Sequence, residues 1–174
     1  MRWMVDLETL GVGPHAPIIQ IGLAGFDDKS LISSRLWDVE PFKDSEYDYS
    51  TIMWWFNQIK AKVEAPQPGY YLSDALLTIH ETLATNPPKE IWARSPAFDL
   101  VILREAFKKI GKAAPWSYRA ERDCRTLEAV ADMVGIKIPM VRVMDHNARA
   151  DAETQAKWVL AVEHELLSRR APSA

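Results

Sequence analysis

Short runs of apolar residues predict three strands at the start of the chain. The stretch from Arg2 to Leu7 is apolar and runs toward a break at Gly13-Pro14, which is typical of a buried strand. Pro17 to Phe26 is rich in β-branched residues and ends at the turn Asp27 to Ser30, after which Leu31 to Val39 can return antiparallel. The pattern therefore predicts a three-stranded antiparallel meander.

Beyond the third predicted strand the apolar residues recur with the period of helices. The predicted elements are a helix capped by Ser50 that reaches about Lys60, a helix from Ala75 to about Thr85 capped by Ser73 or Asp74, a strand from Glu90 to Ala93, and helices over Phe98 to Ile110, Arg125 to Val134 and Ala148 to Arg169. A meander followed by alternating helices and strands predicts an α/β fold, in which a mixed sheet with additional parallel strands is flanked by helices.

Length and composition favour one domain in a reducing compartment. The chain has 174 residues, 48% of them hydrophobic, so we expect a single domain over residues 1–170 and a disordered tail at residues 171–174. The formal net charge of -3 gives no overall positive field, so any contact with a polyanion must be local. A lone cysteine, Cys124, and the lack of a secretory pattern favour the cytoplasm. We expect no membrane span, because the apolar runs are too short.

Two acidic residues on the first predicted strand form the first candidate site. Asp6 and Glu8 are two positions apart, so their side chains point to the same face of the strand. Two neighbouring buried carboxylates resist being ionised together, and a divalent cation removes that conflict. Taken alone, however, an Asp-x-Glu pair is more often simply exposed at the end of a strand.

Further acidic positions make a metal site the better interpretation. Asp99 follows a short predicted strand and opens a helix beside Phe98, and His146 lies five residues before Asp151 at the start of the last helix. A set of carboxylates with one histidine suits Mg²⁺ or Mn²⁺, whereas zinc more often recruits several histidines or cysteines.

Taken in order, these motifs resemble the three exonuclease motifs of the DEDDh branch of the DnaQ-like superfamily. The segments that carry the resemblance are Asp6-x-Glu8-Thr9, Trp54-Trp55, Phe98-Asp99, Arg125-Thr126-Leu127 and His146-x-Ala148-x-x-Asp151-Ala152-x-x-Gln155-Ala156. Within that superfamily the chain is most similar to the exonuclease VIII-like group and the small bacterial 3′-to-5′ exoribonucleases. The likeness covers nearly the whole chain, so it implies a ribonuclease H-like fold throughout.

The resemblance also implies an activity and a set of site residues. The protein would hydrolyse DNA or RNA from a free 3′ end and release nucleoside 5′-monophosphates. His146 would be the general base, and two divalent cations, Mg²⁺ or Mn²⁺, would be held by four carboxylates, those of Asp6, Glu8, Asp99 and Asp151. The resemblance further implies that the protein could form a homodimer.

Several residues are candidates for contact with the substrate. By resemblance, Thr9 and Leu10 would hold the 3′ end, although Leu10 could equally pack under a neighbouring loop, and Phe98 lies beside the acidic site. The run Met53 to Phe56, which includes Trp54, could stack on bases, but core packing is the favoured interpretation for most of it. Arg94 could add a phosphate contact.

Two other functions remain open at the level of the sequence. One is a catalytically idle nucleic-acid-binding domain of the same fold, which the intact acidic and histidine positions argue against. The other is a metal-dependent hydrolase of a small phosphoester, which would need the same cations but no groove for a strand. No motif distinguishes DNA from RNA or single strands from duplexes.

Overall fold

Six strands form one mixed sheet in the part of the chain that the computed structural model describes, residues 1–61, 65–140 and 146–169. The strands are β1 (Arg2–Thr9), β2 (Ile18–Phe26), β3 (Leu31–Glu40), β4 (Tyr70–Tyr71), β5 (Glu90–Ala93) and β6 (Glu121–Asp123), in the spatial order β4-β3-β2-β1-β5-β6. β1, β2 and β3 pair antiparallel, while β5 is parallel to β1, β6 to β5 and β4 to β3. The predicted meander with additional parallel strands is therefore confirmed, and β4 and β6 are strands that the sequence pattern did not predict.

Five α-helices accompany the sheet within the described ranges. They are α1 (Tyr49–Lys60), α2 (Leu72–Thr85), α3 (Asp99–Lys109), α4 (Cys124–Met133) and α5 (Ala148–Ser168). A short 3-10 turn, Tyr118–Ala120, leads into β6. The last three helices begin and end within one residue of the predicted positions.

The first two helices begin earlier than predicted. Asp48, and not Ser50, is the N-cap of α1, because its carboxylate accepts a hydrogen bond from the backbone N–H of Thr51 at 2.8 Å. α2 begins at Leu72 rather than at residue 75, since the short strand β4 leads directly into it, and no side chain caps its first turn. The predicted caps of α2 were therefore wrong.

The alternation of side chains along β1 assigns its residues to two different layers. Trp3, Val5 and Leu7 belong to the core cluster that includes the buried faces of α2 and α3. Met4 belongs to the cluster that includes the buried residues of α5. Because side chains alternate along a strand, Asp6 shares the face of Met4 and is directed toward α5.

Arg2 anchors the opposite end of β1. Its buried guanidinium donates to Glu90 of β5 at 2.9 Å and to Glu163 of α5 at 2.8 Å. It also stacks over the rings of Phe26 and Trp92, with distances of 4.7 and 5.6 Å to the ring centroids. These contacts fix α5 against β1 and β5 at one end, while the acidic residues lie at the other.

The C-terminal end of the chain is described as far as Arg169. The disordered tail expected at residues 171–174 falls outside the described residues. The last helix ends at Ser168, with Arg169 as its C-cap. Among the residues described, none of the helices combines the length and the apolar character that crossing a membrane requires.

Candidate active site

β1 and α5 bring three of the predicted carboxylates together. Asp6 and Glu8 lie in the second half of β1, and Asp151 lies in the first turn of α5. One carboxylate oxygen from each of the three residues lies within 4.8 Å of the other two. The start of α5 is defined by Asn147, whose side chain accepts from the backbone N–H of Ala150 at 3.1 Å. Three oxygens this close can share one hard divalent cation.

The close approach of α5 to β2 places Asp151 at the site. The backbone N–H of Ala148 donates to the side-chain oxygen of Gln20 at 3.0 Å, and the Gln20 amide donates to Asp38 at 2.7 Å. Gly22, which pairs with Asp6 in the sheet, leaves room for the helix, since a Cβ there would lie 1.9 Å from the Ala148 carbonyl oxygen. The sequence pattern gave no sign of either role, because both depend on a contact between distant segments.

Asp99 and Gln155 surround the carboxylate of Asp6. Asp99 is the first residue of α3, is buried, and accepts a hydrogen bond from the backbone N–H of Leu7 at 3.2 Å. It lies outside the set of three whose oxygens are all within 4.8 Å of one another. The amide of Gln155 donates to Asp6 Oδ1 at 2.7 Å, while its own Oε1 is buried and finds no hydrogen-bond partner in the described part of the chain.

Burial and mutual repulsion make these carboxyl groups hard to ionise. Burial, followed by the charges of Asp99, Glu8 and Asp151, raises the pKa of Asp6 well above its ordinary value. Burial and the charges of Asp151 and Asp99 raise the pKa of Glu8 to about 8. Burial raises the pKa of Asp99 to about 7, against the opposing effect of the Leu7 backbone N–H. A cluster of carboxylates that repel one another fits a divalent cation, because the cation's charge removes the repulsion.

An open cavity of about 700 Å³ lies over the acidic cluster. The predicted site residues that border it are Asp6, Glu8, Asp99, Asp151, His146, Trp54 and Phe98. Thr9 and Leu10 are not among the described residues that line this cavity. Thr9 is buried, with its hydroxyl donating to the Gly11 carbonyl oxygen at 2.7 Å, and Leu10 is half-buried. The structure therefore brings the two predicted aromatic contacts to the acidic cluster, but not the two residues predicted to hold the 3′ end.

His146 lies immediately before α5, at the rim of the same cavity. Its backbone has φ = 46°, a left-handed conformation that is uncommon for a residue other than glycine. Its ring meets the ring of Trp54 edge to face, with 4.7 Å between the ring centroids, and that of Trp55 at 6.2 Å. The predicted general base is thus in contact with the tryptophan pair of α1.

The run Met53 to Phe56 is mostly exposed, so the expectation of core packing for most of it was wrong. Trp55 is buried, and its indole N–H donates to the Thr9 carbonyl oxygen at 3.0 Å. Met53 and Trp54 are each 39% exposed, and Phe56 is 55% exposed. The reason is that only one face of α1, the face that carries Trp55, packs against the end of β1, so the opposite face of the helix is exposed to solvent.

Two arginines supply positive charge at the cavity. Arg94 and Arg125 both line it. The charge of Arg125 lowers the pKa of Asp99, although burial and the backbone N–H groups have larger effects. Arg94 forms an ion pair with Glu128 at 3.4 Å. Two guanidinium groups therefore lie beside the four carboxylates in the described lining of the cavity.

The fold is a ribonuclease H-like mixed sheet flanked by helices, and exonuclease I and exonuclease X share it. Its first strand carries two carboxylates, and a helix packed on the sheet carries a third. The chain belongs to the Rv2179c-like family, described as the 3′-5′ exoribonuclease Rv2179c-like domain, whose sequence profile matches residues 1–163. The expected similarity to the small 3′-to-5′ exoribonucleases is thereby confirmed.

Several solved structures share the fold. The exonuclease I of Methylocaldum szegediense is similar with a TM-score of 0.67 and 17% identity over 94% of this chain and 40% of that one. The zinc-bound E. coli exonuclease I in complex with single-stranded DNA has a TM-score of 0.66 and 18% identity, over 96% of this chain and 40% of that one. Exonuclease X in complex with 5′-overhanging duplex DNA has a TM-score of 0.59 and 14% identity, over 95% of this chain and 92% of that one.

These likenesses differ in how much of each protein they cover. The chain spans less than half the length of the exonuclease I chains that it matches. A comparison with curated protein sequences finds no match. At identities of 14 to 18% the solved structures establish the fold, and the family follows from the sequence profile.

Proposed function

We propose that this protein is a metal-dependent 3′-to-5′ exonuclease that releases nucleoside 5′-monophosphates from a nucleic acid strand. The observation that carries the proposal is the meeting of the Asp6, Glu8 and Asp151 carboxylates within 4.8 Å in an open cavity bordered by His146. Membership of the Rv2179c-like exoribonuclease family supports the same activity. We further propose that residues 1–170 act as a single exonuclease domain in the cytoplasm.

Four carboxylates would hold two divalent cations, Mg²⁺ or Mn²⁺, in this site. They are those of Asp6, Glu8, Asp99 and Asp151. The raised pKa values of Asp6, Glu8 and Asp99 are those expected of a site that holds protons when no cation is bound. When bound, such cations activate water and neutralise charge that develops on the phosphate. Gln155 keeps Asp6 oriented by donating to its Oδ1.

His146 would remove a proton from the attacking water. His146 is half-buried and lines the same cavity as the four carboxylates, which is where a general base for an attacking water is required. A neutral imidazole accepts a proton readily near neutral pH, which makes histidine the commonest general base in enzymes.

The substrate would be DNA or RNA with a free 3′ end. Trp54 and Phe98 line the cavity and offer faces on which bases can stack, and Arg94 and Arg125 can contact phosphates there. Thr9 and Leu10, which are not among the described residues lining the cavity, keep their proposed role at the 3′ end by resemblance alone. A homodimer also belongs to the proposal, since the exposed side of α1 offers an apolar surface to a second copy.

A time course with 5′-labelled DNA and RNA oligonucleotides tests the activity. With Mn²⁺ or Mg²⁺ we expect a ladder that shortens by one nucleotide at a time from the 3′ end, and no cleavage in the presence of a chelator. Asp6→Ala and Asp151→Ala should each lower the rate about a thousandfold, because each removes a cation ligand. Asp132→Ala is the matched control, since this exposed aspartate forms its ion pair with the nearby Lys137 and is not among the residues that line the cavity.

Two results would contradict the proposal. Binding of oligonucleotides without shortening, under every cation tested, would indicate the idle domain. Release of phosphate from a nucleoside monophosphate, with intact oligonucleotides, would indicate the small-phosphoester hydrolase.

A further inference from the structure

The tryptophan pair of α1 connects the metal-binding strand to His146. Trp55 is buried, and its indole N–H donates to the carbonyl oxygen of Thr9, the last residue of β1, at 3.0 Å. Trp54 packs edge to face on Trp55, with 5.2 Å between ring centroids, and on His146, with 4.7 Å. The three rings therefore form a continuous chain of contacts from the end of β1 to the general base.

A second bond fixes the start of α1 to the same strand end. The backbone N–H of Asp48, the N-cap of α1, donates to the carbonyl oxygen of Leu10 at 2.9 Å. α1 is thus held at its N-cap and again at Trp55, in both places by a hydrogen bond to the backbone of the two residues that follow Glu8. Two anchors of this kind determine where the ring of Trp54 stands relative to the carboxylates.

The backbone of His146 needs support from outside its own segment. Its left-handed conformation, with φ = 46°, is uncommon for a residue with a side chain and is favoured when surrounding contacts stabilise it. On the C-terminal side the contacts are known, because Ala148 is bonded to Gln20 and Asn147 caps α5. The imidazole itself contacts both tryptophan rings among the residues that the structure describes.

We propose that Trp54 is a positioning residue for His146: its ring holds the imidazole over the acidic cluster. This inference rests on the proposed exonuclease function, in which His146 is the general base. This role of Trp54 is separate from stacking on a base, because the loss of a residue that positions His146 lowers the rate of the chemical step. A contact with the substrate alone acts on binding.

The test is a thermodynamic cycle on the full chain with Mn²⁺ and a labelled oligonucleotide. The variants are Trp54→Ala, Trp54→Phe, His146→Ala and the double variant, and kcat and KM are both measured in steady-state kinetics over a range of oligonucleotide concentrations. Tyr49→Ala is the matched control, because Tyr49 is an aromatic residue of the same helix that is 77% exposed. Alanine at any of these positions of α1 keeps a strong helix-forming residue.

We expect Trp54→Ala to lower kcat about tenfold, since a small misplacement of a catalytic group has an effect of that order or more. Trp54→Phe should retain most of the rate, because it keeps an aromatic edge next to the imidazole. In the His146→Ala background, the same Trp54→Ala change should alter kcat less than about twofold, because no imidazole remains to be positioned. Tyr49→Ala should leave kcat unchanged.

Equal losses of kcat in both backgrounds would overturn the inference, and so would a Trp54→Ala variant whose only change is a higher KM. An independent readout needs no activity. The ring-proton NMR signals of His146, identified by their loss in His146→Ala, should shift in Trp54→Ala and stay in place in Tyr49→Ala. If the unaltered protein shortened no oligonucleotide but this shift were seen, the proposed function would fail and the contact would stand.

Discussion

Gln155 is the residue that holds the Asp6 carboxylate in place. Its amide donates to Asp6 Oδ1 at 2.7 Å, and this bond opposes the rise of the Asp6 pKa that burial and the neighbouring charges cause. Partners that orient a metal ligand are commonly worth a factor of about 10 to 100 in metal affinity. We therefore expect Gln155→Met, which keeps the volume but removes the donor, to weaken Mn²⁺ binding at neutral pH about tenfold, measured by isothermal titration calorimetry.

The control for this change is another glutamine. Gln67→Met removes an exposed amide whose hydrogen bond, among the residues described, goes to the nearby Ala65 carbonyl oxygen, so its Mn²⁺ affinity should equal that of the unaltered protein. If Gln155→Met folds and binds Mn²⁺ with unchanged affinity, Gln155 does not orient Asp6 for a cation.

For individual residues, the sequence could predict which side chains share a face of one strand, but not which side chains from distant segments are in contact. Asp6 and Glu8 were placed on one face because side chains alternate along a strand, and the structure confirms that they converge. Gln155 lies 149 positions from Asp6, and no local pattern indicates that the two are hydrogen-bonded. The contact of Trp54 with His146 escaped prediction for the same reason.

The packing of α5 on β2 determines where Asp151 stands relative to Asp6. The helix begins directly against the strand at Gly22, where a Cβ would lie 1.9 Å from the carbonyl oxygen of Ala148. Backbone atoms cannot yield as a flexible side chain does, so Gly22→Ala should displace the first turn of α5. We expect a loss of about 3 kcal/mol in the free energy of unfolding, measured with urea, and weaker Mn²⁺ binding by the variant.

Gly69→Ala provides the comparison at this scale. A Cβ at Gly69 meets no atom of the described residues within 4 Å, so the free energy of unfolding should change by less than about 1 kcal/mol. If both alanine variants unfold at the same urea concentration, the close approach of α5 to β2 does not limit its position.

The elements themselves were predictable where they are long enough to show a period. The three meander strands have 8, 9 and 10 residues and give a clear pattern of apolar positions. β4 and β6 have two and three residues, which is too few for any alternation to be recognised, and the pairing with β3 and β5 defines them. The start of α1 was misplaced because Asp48 and Ser50 are both good N-cap residues, and only the hydrogen bond to Thr51 distinguishes them.

For the molecule as a whole, the acidic cluster couples stability to both pH and cations. Burial and neighbouring charges raise the pKa of Glu8 from 4.5 to about 8, and burial raises that of Asp99 from 3.8 to about 7. At a pH between the ordinary pKa of each group and its raised pKa, the folded chain holds a proton that the unfolded chain has released. Stability therefore falls as pH rises through this range in the absence of cations. A cation bound by the ionised carboxylates competes with those protons, so its affinity rises with pH.

We expect the melting temperature in a chelator to fall from pH 5 to pH 8 relative to that of Glu8→Gln, whose neutral amide releases no proton. The difference between the two proteins should grow across that range and reach about 5 °C at pH 8. Mn²⁺ should reverse it, since a ligand at about 100 times its dissociation constant adds about 2.7 kcal/mol of stability to the folded state. In the unaltered protein this gain in stability from Mn²⁺ should be large at pH 8 and small at pH 5, because protons occupy the cluster at pH 5. In Glu8→Gln the gain should be small at both pH values, because this variant has lost a ligand. The prediction fails if the melting temperatures of the two proteins differ by the same amount at every pH. Glu8 would then ionise in the folded state as freely as in the unfolded one, and the cluster would not need a cation to balance its charge.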